Sequence, residues 1–148
     1  YLDVRSWKDV DVGTARRSTR DSCGDVLHQI GDAAAKYYES HLTSGDQDDR
    51  EVAAWLLTGH YQKELSQATV AMIAERAATD DAIVAGAYPF LFSRGYDKQR
   101  LDQVLRNRGT LEMARFYLAN APAMHATVET WAREHGYRIV ERRIGRWP

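Results

Sequence analysis

Apolar residues recur along most of the chain at three- and four-residue steps, the spacing of one buried helix face. Val26, Ile30, Ala33 or Ala34, Tyr37 and His41 mark the first such face. Ser22 is placed to cap it, with Asp25 as a capping-box partner, and it ends near Leu42. The stretch LTSGDQDD reads as a turn that loads acid onto the next helix start, where the macrodipole favours it. That helix is expected from Asp49 to Gly59 or Tyr61, burying Val52, Trp55, Leu56 and Leu57. A second follows from about Lys63 to Ala78, with Leu65, Val70, Ile73 and Ala77 inward.

Thr79 is the expected cap of a third unit, with Asp80 and Asp81 in its first turn. AIVAGAYPFLFSRG is apolar nearly all round and reads as a central helix, kinked or split by Pro89 and stopped by Gly95. Leu101, Val104 and Leu105 then face inward, while Asp97, Lys98, Arg100, Asp102, Arg106 and Arg108 face water. Gly109 is expected as a left-handed stop and Thr110 as the next cap. Leu111, Ala114, Tyr117 and Leu118 form a short helix that ends before Pro122. Its partner carries Met124, Val128, Trp131 and Ala132 and closes on Gly136. The tail YRIVERRIGRWP alternates in its first half, as a short strand or a packed arm does. Residues 1–20 show no helical period and read as an extended arm anchored by Tyr1, Leu2 and Trp7.

The expected fold is therefore all-α: a short α-solenoid of helical hairpins over residues 21–136, with an extended N-terminal arm (1–20) and a basic C-terminal arm (137–148). Units starting near 49, 79 and 110 give a period near 30, the mark of a solenoid.

The segment AIVAGAYPFLFSRGYDKQRLDQVLRNRG resembles one pentatricopeptide-type repeat, with Gly95, Asp97, Leu101, Val104, Leu105 and Gly109 where that pattern wants them. The resemblance implies a helical-repeat scaffold that binds RNA or is built into a large assembly, often in an organelle. A second stretch, ATVAMIAERAATDDAIVAGAYPF, is similar to the helix-turn-helix of TetR-type repressors through Thr69, Val70, Ile73, Ala74, Glu75, Arg76 and Ala77. It implies a DNA-binding regulator. Asp80 and Asp81 at the start of its reading helix would work against phosphate binding.

A length of 148 residues fits one domain, and 44% apolar with 28% charged residues is an ordinary globular balance. There is no apolar run long enough for a transmembrane helix. The single Cys23 excludes an internal disulfide and fits a reducing compartment. The chain begins at Tyr1 and not at Met, which fits either a removed leader or a numbering that starts at the first ordered residue. Charge changes the picture more. Residues 1–81 carry 9 Lys+Arg and 15 Asp+Glu, a net of −6, whereas residues 82–148 carry 11 and 6, a net of +5.

Candidate chemistry is sparse. The sequence has no His-Glu-x-x-His, no phosphate-binding glycine loop and no Gly-x-Ser-x-Gly elbow. His125 and Glu129 could share a helix face, but a surface hydrogen bond explains them better than a metal. Asp48-Asp49 and Asp80-Asp81 read as helix-start residues rather than an acid/base pair. No catalytic, cofactor or metal site is expected. Most aromatics fall at core spacing. Tyr88, Phe90 and Phe92 do not share one face of a helix split by Pro89, and so are candidate anchors for a protein contact. Asp97–Arg100 and Asp102–Arg106 are spaced to pair along their helix. Arg106, Arg108, Arg115, Arg138, Arg142, Arg143 and Arg146 gather in the last third as a candidate basic surface. The expected role is a non-catalytic accessory subunit of a larger assembly, with other protein subunits as partners and a mitochondrial complex as the setting. RNA is the alternative partner.

Overall fold

The computed structural model describes residues 32–60 and 65–146. The expected N-terminal arm, the Ser22 cap, Cys23, Lys63 and Trp147 lie outside these residues. Among the described residues the chain is all-α apart from one small sheet. Its helices are α1 (Asp32–His41), α2 (Gln47–His60), α3 (Gln67–Ala77), α4 (Asp81–Ser93), α5 (Lys98–Arg108), α6 (Leu111–Asn120) and α7 (His125–Glu134). A single 3-10 turn, Pro122–Met124, joins the last two, and the strands β1 (Arg138–Val140) and β2 (Arg143–Gly145) follow. Among the described residues no helix is long and apolar enough to cross a membrane. The chain divides into two compact units, residues 1–87 and 88–148.

In the first unit α1 and α2 pack together. Its core holds Leu42, Ala53, Ala54, Leu56, Leu57, Ile73, Ala77, Ile83 and Val84, all buried. Two polar side chains share that interior, and both are satisfied. Thr58 donates to the Ala54 carbonyl at 2.7 Å, and Thr69 donates to the Glu39 carboxylate at 2.8 Å. Arg50 donates to the Asp80 carboxylate at 2.6 Å and to the Ser44 carbonyl at 2.8 Å.

Helix starts depart from expectation where side-chain caps decide them. Asp46 accepts from the Asp48 amide at 2.8 Å, so α2 begins at Gln47 rather than Asp49. Ser66 accepts from the Thr69 amide at 3.1 Å and starts α3 at Gln67, leaving Leu65 outside it. Asp80, not Thr79, caps α4 by accepting from the Ala82 amide at 3.0 Å. A carboxylate that also meets Arg50 is anchored better than a free hydroxyl. Pro89 neither ends nor splits α4, which runs on to Ser93. Burial of Phe90 and Leu91 just beyond it offsets the ~3 kcal/mol that an interior proline costs.

In the second unit α6 packs on α7, and α5 also meets α7. Leu101, Val104, Leu105, Met113, Ala114, Tyr117 and Val128 are fully buried there. Gly95 and Gly136 close α4 and α7 with φ of 71° and 73°. Behind each, the next amide reaches back to close the last turn: Tyr96 donates to the Leu91 carbonyl at 3.0 Å, and Tyr137 to the Ala132 carbonyl at 2.7 Å. Thr110 caps α6 by accepting from the Met113 amide at 3.1 Å. Gly109 is a correction. Its φ of −63° is ordinary, and it is not a left-handed stop. Space demands glycine here instead, because a Cβ would lie 2.2 Å from the Leu105 carbonyl and 2.6 Å from Trp131 Nε1.

The tail folds back on itself as an antiparallel hairpin, with Ile139 opposite Ile144 and Val140 opposite Arg143. Ile144 is buried, β2 lies on α6 and β1 on α7.

Candidate functional site

The aromatic candidates separate. Phe90 is 4% exposed and belongs to the core, with the Arg94 guanidinium 4.5 Å above its ring. Tyr88 and Phe92, four residues apart on α4, are half-buried and turn the other way. Their rings meet Phe116 edge-on at 5.2 and 5.6 Å, and Tyr117 lies 5.8 and 6.3 Å from them. Tyr88 and Phe92 therefore pack within the second unit instead of presenting a three-ring surface.

Tyr117 is the centre of that cluster. Its hydroxyl is buried with no hydrogen-bond partner. Burial pushes its phenol pKa well above the usual 10, and the neighbouring Tyr88 and Asp102 push the same way. The group stays neutral throughout the physiological range. Trp131 Nε1 is likewise buried without a partner. Its indole stacks on His135 at 4.3 Å and on Tyr137 at 5.6 Å, and the Arg146 guanidinium lies 4.9 Å over the Tyr137 ring. His125 makes a 2.9 Å hydrogen bond with the Leu118 carbonyl, tying α7 to α6. Among the described residues no group of three or more His, Cys, Asp or Glu side chains is placed to hold a metal ion.

The basic candidates divide by what each one meets. Arg106 pairs with Asp102 at 2.5 Å, as its spacing predicts. Its side chain is 65% exposed, so the pair contributes about 0.3–0.5 kcal/mol. Asp97 serves as the cap of α5, accepting from the Gln99 amide at 2.9 Å, and Arg100 donates to the Gln103 side chain at 3.3 Å. Arg108 is half-buried at the end of α5. Arg115 donates to the Ile144 carbonyl at 3.2 Å and so holds β2 to α6. These arginines are spoken for by the fold to differing degrees.

The hairpin carries the rest. Arg138, Arg142, Arg143 and Arg146 are all exposed. Arg143 lies 3.6 Å from Glu141 in a pair so open to water that it fixes neither side chain. Strand alternation puts Ile139 and Ile144 on the helix side and Arg138, Val140 and Arg143 on the outer side. Val140 is 46% exposed. The two turn residues, Glu141 and Arg142, have φ of 49° and 64°. A two-residue hairpin requires this pair of positive angles, and Asn-Gly is its usual sequence. Glu-Arg carries no such signal, so the turn was hidden in the sequence while the alternation of RIVERRI on either side of it was not.

The helix that the repressor resemblance would send into a DNA groove buries Ala82, Ile83, Val84, Ala85 and Ala87. Comparison with protein-family models, with curated proteins and with solved structures finds no match to this chain.

Proposed function

We propose that the chain is a non-catalytic accessory subunit of a larger multiprotein assembly, contacting its neighbours through the C-terminal hairpin. One observation carries this reading: an exposed apolar side chain, Val140, is surrounded by exposed arginines on a turn held in an uncommon backbone conformation. Strain at an exposed tip persists where the side chains it presents have work to do. An apolar centre with an arginine rim is the composition of a protein contact.

The helices supply the scaffold, which we read as a short stack of repeated hairpins. Contacts at a constant sequence separation support the stack. Thr69 meets Glu39 and Arg50 meets Asp80, each 30 residues apart. Neighbouring repeats of a solenoid touch one period apart. Helix starts at 47, 81 and 111 give steps of 34 and 30, close to but looser than the spacing expected from sequence. A mitochondrial complex, such as ATP synthase, the respiratory chain or the ribosome, is the setting to check first, by analogy with other helical-repeat subunits.

The exposed arginines also favour a second reading, an RNA-binding helical repeat. Isolation from the native source in mild, low-salt buffer, with and without nuclease, separates the two. A large particle that survives nuclease supports the subunit. A particle that collapses on nuclease treatment moves the assignment to RNA, and a small species under both conditions refutes both.

A further inference from the structure

The two edges of the small sheet are not alike. Glu141 and Arg142 form a two-residue turn, so Val140 and Arg143 are the hydrogen-bonded pair that closes it. Ile139 and Ile144, one step further on, are then a non-hydrogen-bonded pair, and their amides and carbonyls point away from the sheet. On β2 that edge is taken, because Arg115 donates to the Ile144 carbonyl at 3.2 Å and the Ile144 side chain is buried. On β1 it is open. Among the described residues no group donates to the Ile139 carbonyl or accepts from its amide beyond the strand. Buried amides without a partner are rare, so this edge faces water, in keeping with the exposed Arg138 and Val140 on either side of Ile139.

An open edge accepts one more strand. The charge of the hairpin selects which. Residues 138–146 hold four arginines and one glutamate, a net of +3. Two such edges side by side would set like charge against like, which works against a second copy of this chain as the occupant. The same charge draws an acidic strand. An amide and a carbonyl side by side match a peptide backbone, whereas a nucleic acid has no strand edge to offer them.

We propose that the outer edge of β1 takes an extended, acidic segment of a partner protein as a third strand, hydrogen-bonded to the Ile139 amide and carbonyl. This rests on reading the hairpin as a protein-contact element and names the partner's chemistry. Strand alternation sets the pattern of that segment. Its residue opposite Ile139 lies on the helix side and is apolar. The residues flanking it turn to the outer side, toward Val140 and the exposed turn arginines Arg142 and Arg143, and are acidic.

Titrating the nitrogen-15-labelled full chain with a blocked peptide of about eight residues, alternating Val and Asp, tests this. The Ile139 amide resonance is expected to shift and its proton to exchange more slowly, an effect that salt weakens. The same peptide with Lys in place of Asp, and a uridine oligonucleotide, leave that amide unprotected. Ile139→Pro removes the outward amide but no bond of the ladder, and an edge strand tolerates proline; this variant binds the peptide about fivefold more weakly. Arg142→Gly adopts the positive φ of the turn without strain and lacks the charge, so it keeps the hairpin and binds several-fold more weakly. An Ile139 amide that the Asp peptide leaves unprotected overturns the proposal. So does equal protection by the Lys peptide, protection by the oligonucleotide, or binding that neither variant weakens. Expression of Ile139→Pro in the native source separates this contact from the subunit reading. Loss of the variant from a large nuclease-resistant particle that holds the wild-type chain supports the edge contact. A variant retained in that particle overturns the edge contact alone, and a wild-type chain found in no large particle overturns the subunit reading.

Discussion

Two glycines lie inside helices of the first unit, and substituting each by alanine should move stability in opposite directions. Gly86 in α4 faces α2. A Cβ built there lies 2.2 Å from the Glu51 carbonyl oxygen, 3.0 Å from the Ala54 Cβ and 3.0 Å from the Trp55 amide nitrogen. All three are backbone or backbone-proximal atoms, so no flexible side chain can yield, and the helices must separate by ~1 Å to restore ordinary contact. Overpacking of this kind costs about 1–3 kcal/mol, and a rigid neighbour puts it toward the upper end. Alanine returns about 1 kcal/mol through helix propensity. The net is a loss of about 1–2 kcal/mol, which lowers the melting temperature by roughly 3–8 °C. Gly59 in α2 meets nothing within 4 Å, so Gly59→Ala keeps the propensity gain of about 0.5–1 kcal/mol and raises it by a few degrees. Far-ultraviolet circular dichroism during thermal and urea unfolding reads both. A Gly86→Ala protein as stable as Gly59→Ala would refute the close approach of α2 and α4.

Asp80 both caps α4 and holds Arg50. Asp80→Ala should cost about 2–4 kcal/mol and Asp80→Asn distinctly less, since the amide oxygen still accepts from Ala82; equal losses in urea unfolding would show that the cap carries nothing. Tyr117→Phe removes a buried hydroxyl that has no partner and should stabilise the second unit by about 1–3 kcal/mol. The same residue sets a pH dependence. Its phenol pKa is raised in the fold, so the unfolded chain ionises first as pH passes 10, and stability falls from there upward. Tyr117→Phe should flatten that alkaline decline, as melting curves across the range would show. Arg115→Ala frees the Ile144 carbonyl and should loosen the hairpin, read as faster amide exchange at Val140 and Arg143, the hydrogen-bonded pair that closes the turn, with little change in α5.

Much of this fold was legible because helices announce themselves through period and through capping residues. The inward positions of α5, α6 and α7 were readable one by one: Leu101, Val104 and Leu105, then Ala114, Tyr117 and Leu118, then Val128, Trp131 and Ala132, all buried. What failed did so where local signals compete. Thr79 and Asp80 are both good caps, and only the distant Arg50 decides between them. Pro89 is a helix breaker by local rule, and tertiary burial of the residues beyond it overrides that rule. Gly109 and Gly136 look alike as helix stops in the sequence, yet one needs its positive φ and the other only its lack of a side chain.

The candidate surface divides along the same line. Seven arginines read alike as letters, and their number suggested one basic face. Arg106 is neutralised by an acid a turn away, and Arg115 serves a carbonyl of the sheet. Arg146 lies over a tyrosine ring. The turn then raises Arg142 and Arg143 beside Val140, in a conformation that neither composition nor period encodes. Charge in a sequence is additive, whereas availability is settled residue by residue by what the fold has already claimed. The two side chains at the tip are therefore a sharper target for mutation than the seven-residue set from which they come.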